Sequence, residues 1–245
     1  MTLTFWGVRG GIPVPGVSTA KTGGNTVCID IADDDGTRTV MDAGTGIIML
    51  GKKLLAGPCG KGQGEVHIVL THTYWDHIQG FPYFIPAFIP GNKILFWGRS
   101  VSERSLYELL DWQMKAEYNP IFALKNMGSQ IAVREIGNEA VKLGRLTMTT
   151  TILPHRGKAS LGYRITDGNR TVVLMGDVHV ESSPHAAMVR FVEGADLLIH
   201  DIGESTHYAP EFTDEDVAAL LATIREGAGD AVAVEGATEG LQIAL

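Results

Sequence analysis

Cysteine is scarce in this chain: Cys28 and Cys59 are its only two, with no Cys-x-x-Cys spacing. That excludes a disulfide scaffold and a thiolate zinc site, and leaves both as small core or loop residues. Positive charge is also short, with 20 Lys and Arg against 28 Asp and Glu and a formal net charge of −8. A long nucleic acid or an anionic membrane is therefore a poor partner, although a bound metal would supply its own local positive charge. No apolar run is long enough to span a bilayer, and "MTLTFWGVRGGIPVPG" lacks the charged start and apolar stretch of a signal peptide. The expectation is a soluble, cytoplasmic protein. No repeat period of solenoid or propeller length is visible, and no low-complexity linker divides the chain.

What is present is a chain of 245 residues, 44% hydrophobic and with 30 glycines, enough for a sizeable core joined by tight turns. The segments "LTFWGV", "TVCIDIA", "RTVMDAG" and "VHIVLTH" read as strands of a first sheet. "GIIMLGKKLLAG" reads as a helix, and "SERSLYELLDWQMKAE" as a second one over residues 102–117 with a stripe through Leu106, Leu109, Leu110 and Met114. "GFPYFIPAFIPGN" holds too many prolines for a long helix. Strand patterns then return in "SQIAVREI", "RLTMTTTILPH", "LGYRITD", "RTVVLMGD" and "ADLLIHD", which imply a second sheet. "FTDEDVAALLATIREGAGDAVAVEGATEGLQIAL" closes the chain as a capped helix, a turn and a last strand. Two strand-rich halves with helices and no linker fit a sandwich of two mixed sheets flanked by helices, in one domain spanning residues 1–245.

Five imidazoles and carboxylates stand at ends of those strands: His72, Asp76 and His77 after "VHIVL", His155 after "TTTILP", and Asp177 after "TVVLMG". Strand ends on one rim bring side chains from distant positions together, and neutral imidazoles with carboxylates suit zinc, manganese or iron(II). His67, inside "VHIVL", reads instead as a hydrogen-bonded core residue. Asp42, in "MDAG", is placed to orient the metal loop through hydrogen bonds. Gly23, Gly24 and Asn25 read as turn chemistry.

"THTYWDH" resembles the His-x-His-x-Asp-His signature of the metallo-β-lactamase fold superfamily. "TGGNTVCIDI", "MDAGTGI", "DHIQGFPYFIPAFIPGN", "GDVHV" and "DLLIHD" extend the resemblance, in order, toward its bacterial phosphodiesterase and transfer-RNA-processing branch. The resemblance implies an αββα sandwich with a one- or two-metal centre at the edge between the sheets. It implies His72, the residue at 74 and His155 for the first metal, Asp76 and His77 for the second, Asp177 as the bridge, and His207 to complete the second site. One or two divalent ions are expected, zinc foremost, with manganese or iron as alternatives.

The chain departs from that pattern twice. Tyr74 stands where an imidazole is expected, and a phenol ionises only near pH ~10, so it is a poor neutral ligand. The second departure is the short gap between Asp201 and His207, which leaves His200 or Asp201 as substitutes. The resemblance implies hydrolysis of a phosphodiester by activated water, with Asp76 as ligand or base and His179 or His200 as the acid for the leaving group; a plain loop position is the other reading of His179. Arg9 and Arg156 are candidate contacts for an anionic substrate. The aromatics Phe81, Tyr83, Phe84, Phe88, Trp112, Tyr118 and Phe122 form either a pocket wall or core. The charge balance favours a small phosphodiester or cyclic nucleotide over a long RNA. Two further readings stand beside this one: a regulatory protein that binds a ligand or partner, and an iron protein handling redox or oxygen chemistry. Exposed faces of such sandwiches commonly pair, so a homodimer is expected.

Overall fold

The computed structural model describes residues 1–100, 102–120, 123–155, 158–177, 185–200, 213–228 and 233–245. A seven-stranded sheet is built from β1 (Thr2–Gly7), β2 (Cys28–Ala32), β3 (Arg38–Met41), β4 (Glu65–Val69), β5 (Lys93–Gly98), β6 (Gln130–Glu135) and β12 (Gln242–Ala244), in the order β12-β1-β2-β3-β4-β5-β6. A five-stranded sheet is built from β7 (Val141–Leu143), β8 (Leu146–His155), β9 (Lys158–Thr166), β10 (Thr171–Met175) and β11 (Leu197–His200), in the order β11-β10-β9-β8-β7. Strands β3 to β6 run parallel, as do β10 and β11, and the other pairings are antiparallel.

Alternation along the strands decides what each face touches. Ile29, Ile31, Met41 and Val69 face inward and meet Met148, Leu161, Tyr163, Ile165, Val172 and Leu174 of the other sheet. Cys28, Val40, Val66 and Ile68 face outward and are covered by Ile47, Leu50 and Leu54 of α1 (Gly46–Leu54) and by Leu106 and Leu110 of α3 (Leu106–Trp112). On the far side, Val173, Met175 and Leu153 meet Met188, Phe191 and Val192 of α4 (His185–Val192). Helix, sheet, sheet and helix thus stack as four layers, the αββα sandwich. The C-terminal helix is α5 (Asp214–Ala228). Among the described residues no helix is long and apolar enough to cross a membrane.

The structure corrects some of the sequence expectations. "SQIAVREI" belongs to the first sheet, because α3 carries the chain back over that sheet and β6 pairs parallel to β5. Strands β5 and β7 were not expected: β5 is apolar without alternation and β7 is only three residues long. Helix α3 begins at Leu106 rather than 102, since the Ser105 side chain and Glu108 form a reciprocal capping box, and it ends at Trp112. Phe81 and Phe84 are fully buried core, whereas Tyr83, Phe88, Trp112 and Tyr118 are exposed; Phe122 lies outside the described residues. His67 is buried as expected, accepting from Trp97 Nε1 at Nδ1 and lying 3.3 Å from Glu65 at Nε2. Both cysteines are buried and unpaired.

Candidate metal centre

The centre forms where β3 and β4 end side by side. After β3 the chain turns at Asp42, in a left-handed backbone conformation (φ 57°), and its amide donates to Val69 O at 2.9 Å. After β4, Thr71 and His72 lead into the short helix α2 (Trp75–Ile78), which carries Asp76 and His77. The two turns are pressed together: a Cβ on Gly44 would strike the carbonyl oxygen of Asp76 at 2.5 Å, so only glycine allows this approach. Backbone bonds from Ala43 N to His77 O (2.7 Å) and from Gly80 N to Ala43 O (2.9 Å) fasten the contact.

Asp42 is fully buried and organises both imidazoles. Its carboxylate accepts from Thr71 N (2.9 Å), Thr71 Oγ1 (2.9 Å) and His77 Nδ1 (2.8 Å). Since Thr71 Oγ1 donates to Asp42, it accepts from His72 Nδ1 at 3.0 Å. These contacts assign the Nδ1–H tautomer to both rings and leave each Nε2 as the metal-facing atom. Asp177 follows β10 at φ 28° and is buried. Its Oδ2 lies 3.4 Å from His72 Nε2 and 3.6 Å from His77 Nε2, and Asp76 Oδ2 lies 3.3 Å from His77 Nε2. Gly11 N donates to Asp76 Oδ2 at 2.8 Å, from a residue 65 positions away.

Ligand atoms of His72, His77 and Asp177 all lie within 4.8 Å of one another. His77 Nε2 is buried and has no aligned hydrogen bond. Two imidazole nitrogens and two carboxylates converging in a buried space are all acceptors, so the arrangement is stable only with a cation among them, either a proton or a metal. Burial lowers the His77 pKa, but the Asp42 charge and contacts to Asp177, Asp42 and Asp76 outweigh it and raise it well above the usual imidazole value. Burial raises the Asp42 pKa, against the pull of His77 and Thr71. The donor set fits a divalent zinc, manganese or iron ion, by chemistry and by spacing.

Of the residues read from sequence, the structure brings together His72, Asp76, His77 and Asp177. Tyr74 is half-buried at the N-cap of α2, and its ring meets the edge of the His72 ring at 4.7 Å between centroids. His155 ends β8, on the hairpin opposite Lys158, and its side chain is outside the described residues, as are His179, His207 and Arg156. His200 ends β11 in register with Met175, two residues before Asp177, and is exposed. Arg9 pairs with Thr26 as an isolated backbone bridge. Sequence reasoning missed the Gly11 amide and the central part of Thr71; a backbone N–H carries no sequence signal, and Thr71 shows only as the residue before the motif.

The family model of the beta-lactamase superfamily domain matches residues 37–234. In fold the chain is similar to a diphosphatase from the PhnP family, at 17% identity over 100% of this chain and 97% of that one, with a TM-score of 0.60. It is similar to the short form of human tRNase Z, at 15% identity over 100% and 99% of the two chains, with a TM-score of 0.62. The Zn2+-bound PqqB from Methylobacterium extorquens is similar at 16% identity over 82% of this chain and 70% of that one, with a TM-score of 0.50. No curated protein sequence matches the chain.

Proposed function

Because the chain belongs to the β-lactamase superfamily, we propose that it is a metal-dependent hydrolase acting on a small phosphodiester, such as a cyclic nucleotide, with zinc as the foremost ion and manganese or iron as alternatives. The observation that carries this reading is the convergence of His72, His77 and Asp177 within 4.8 Å, with Asp76 beside His77. Those four residues would hold the ion. When bound, it would lower the pKa of a water toward neutrality and neutralise charge on the attacked phosphoryl group. The chain's own part is preparation: Asp42 fixes His77 with Nε2 exposed to the site, Thr71 does the same for His72, and the Gly11 amide holds one oxygen of Asp76. His200, on the strand next to the one that precedes Asp177, is the proposed acid for the leaving group. The net charge of −8 supports a small substrate over a long RNA.

Tyr74 supports a second reading, a binding protein that keeps the centre without turnover, because a phenol beside His72 takes the place of an imidazole. Metal content by inductively coupled plasma mass spectrometry, on protein purified without added metal or chelator, tests the first. One equivalent per chain is expected, rising to two in Tyr74→His. A protein that is metal-free and takes up neither zinc nor manganese on titration would sink the hydrolase. Metal uptake with no turnover of any ester in a phosphodiester panel would leave the binding protein.

A further inference from the structure

Residues 8–27 connect β1 to β2 as a long strap with only a single 3-10 turn, Val17–Thr19. One end of this strap supplies the Gly11 amide that holds Asp76. Its other end is gripped by the C-terminal segment. Asn25 N donates to Glu239 Oε1 at 2.5 Å and Asn25 Nδ2 to Glu239 Oε2 at 2.9 Å, while Glu239 N donates to Thr22 O at 2.8 Å. Gly23 is in the left-handed region (φ 118°), and a Cβ there would collide with the Glu239 side chain, so the turn is shaped to admit this carboxylate.

The grip is passed on in two directions. Asn25 O accepts from Val8 N (3.2 Å) and Arg9 N (3.0 Å), and Gly24 O accepts from Val14 N (2.9 Å), so the backbone on both sides of Gly11 hangs from the two residues at the turn. Asn25 Oδ1 accepts from Thr45 Oγ1 (3.1 Å), and Thr26 Oγ1 accepts from Thr45 N (2.8 Å) and from Gln79 Nε2 (3.3 Å) at the end of α2. Both arms reach the element that carries Asp76, one at its carboxylate and one at its helix.

We propose that Glu239 is a positioning residue for Asp76, acting through Asn25 and the strap to hold the Gly11 amide against the carboxylate. The proposal rests on the reading of Asp76 as a metal ligand. Losing a ligand's direct partner, here the Gly11 amide, typically costs ~10–100-fold in metal affinity, which sets the ceiling for Glu239. The test uses Co2+ as the probe on the full chain, with affinity by calorimetry, the cobalt d–d spectrum, and hydrogen exchange of the peptide containing Gly11. Glu239→Ala is expected to weaken Co2+ binding by up to ~10-fold, the low end for a direct partner, shift the d–d bands and speed exchange in the strap. Glu239→Gln, which keeps an acceptor for the Asn25 amide, is expected to recover most of the affinity. If Glu239→Ala does not fold, Glu239→Asp, whose side chain is one methylene too short to bring its carboxylate to the Asn25 donors, replaces it with the same expectation. A lowered melting temperature with unchanged Co2+ affinity and spectrum would make Glu239 a mere staple and overturn the proposal. Asp76→Asn separates the two ideas: unchanged affinity there removes Asp76 as a ligand, whereas a loss there with none at position 239 refutes the positioning alone.

Discussion

Asp42→Asn is nearly isosteric, yet it reverses the proton logic of the centre. The carboxylate accepts three bonds, from Thr71 N, Thr71 Oγ1 and His77 Nδ1. An asparagine can keep the bond to Thr71 N through its one carbonyl oxygen. Its amide nitrogen then faces Thr71 Oγ1 and His77 Nδ1, and it can only donate. His77 Nδ1 must become an acceptor, so the ring proton moves to Nε2, the atom 3.3 Å from Asp76 and 3.6 Å from Asp177.

Two magnitudes follow. Stability falls, because a charge-assisted bond worth ~1.5–3 kcal/mol is lost and buried His77 loses the charge that holds its pKa up, offset only in part by no longer burying the Asp42 charge. Metal affinity should fall ~10–100-fold, or ~1.4–2.7 kcal/mol, as for other partners of ligating histidines. The assay is Zn2+ competition against a chelating dye, with the His77 tautomer read from long-range nitrogen–proton NMR correlations. An Asn variant that binds Zn2+ like the wild type, or that keeps the His77 proton on Nδ1, would refute the reasoning.

Two further outcomes test the scaffold. Asp30 is buried beside Arg38 at 2.5 Å, and burial, only partly offset by Arg38, raises its pKa from 3.8 to about 6. A raised folded-state value means that the folded chain binds the proton more tightly, so this group's contribution to stability falls as pH rises from ~4 to ~6, by ~3 kcal/mol in total. Urea midpoints should therefore show Asp30→Asn gaining on the wild type across that window and holding the gain above it; a constant difference between the two proteins would contradict the assignment. Tyr163, fully buried in β9, donates its hydroxyl to Leu70 O at 2.5 Å and so joins the second sheet to the end of β4. Tyr163→Phe leaves that carbonyl without its donor and should cost ~1–3 kcal/mol in chemical denaturation, whereas an unchanged midpoint would mean the bond contributes nothing net.

How much of this was legible in sequence follows from which signals are local. Strands such as β2 and β10 were readable because short apolar runs end at glycine or charged turns. Strand β5 was not, because Ile94, Leu95, Phe96 and Trp97 are apolar on both faces, as a parallel central strand requires, and this erases the period of two. The sheet that β6 joins depends on the crossover through α3, which no residue of β6 records. At the centre, His72, Asp76, His77 and Asp177 could be proposed together because side chains that follow strands share a rim. The strap could not: Asn25 and Glu239 are 214 positions apart, and their contact involves a backbone amide. Reading Gly23 and Asn25 as turn residues was correct in kind, but gave no sign of the carboxylate the turn admits.

Tyr74 is the residue on which the proposed chemistry turns, and its surroundings constrain what a phenol there does. An imidazole at 74 would add another acceptor to a cluster already made of acceptors; a phenol adds a donor beside His72 instead. The charge that remains uncompensated lies where Asp76 and Asp177 meet the Nε2 atoms of His72 and His77. Asp42 and Asp177 both sit in left-handed backbone conformations that cost ~1–3 kcal/mol each in a residue with a side chain, and both are buried carboxylates. Asp42 is satisfied by its own three hydrogen bonds, so the cation of the proposed function would be held where Asp177 and Asp76 meet the Nε2 atoms of His72 and His77.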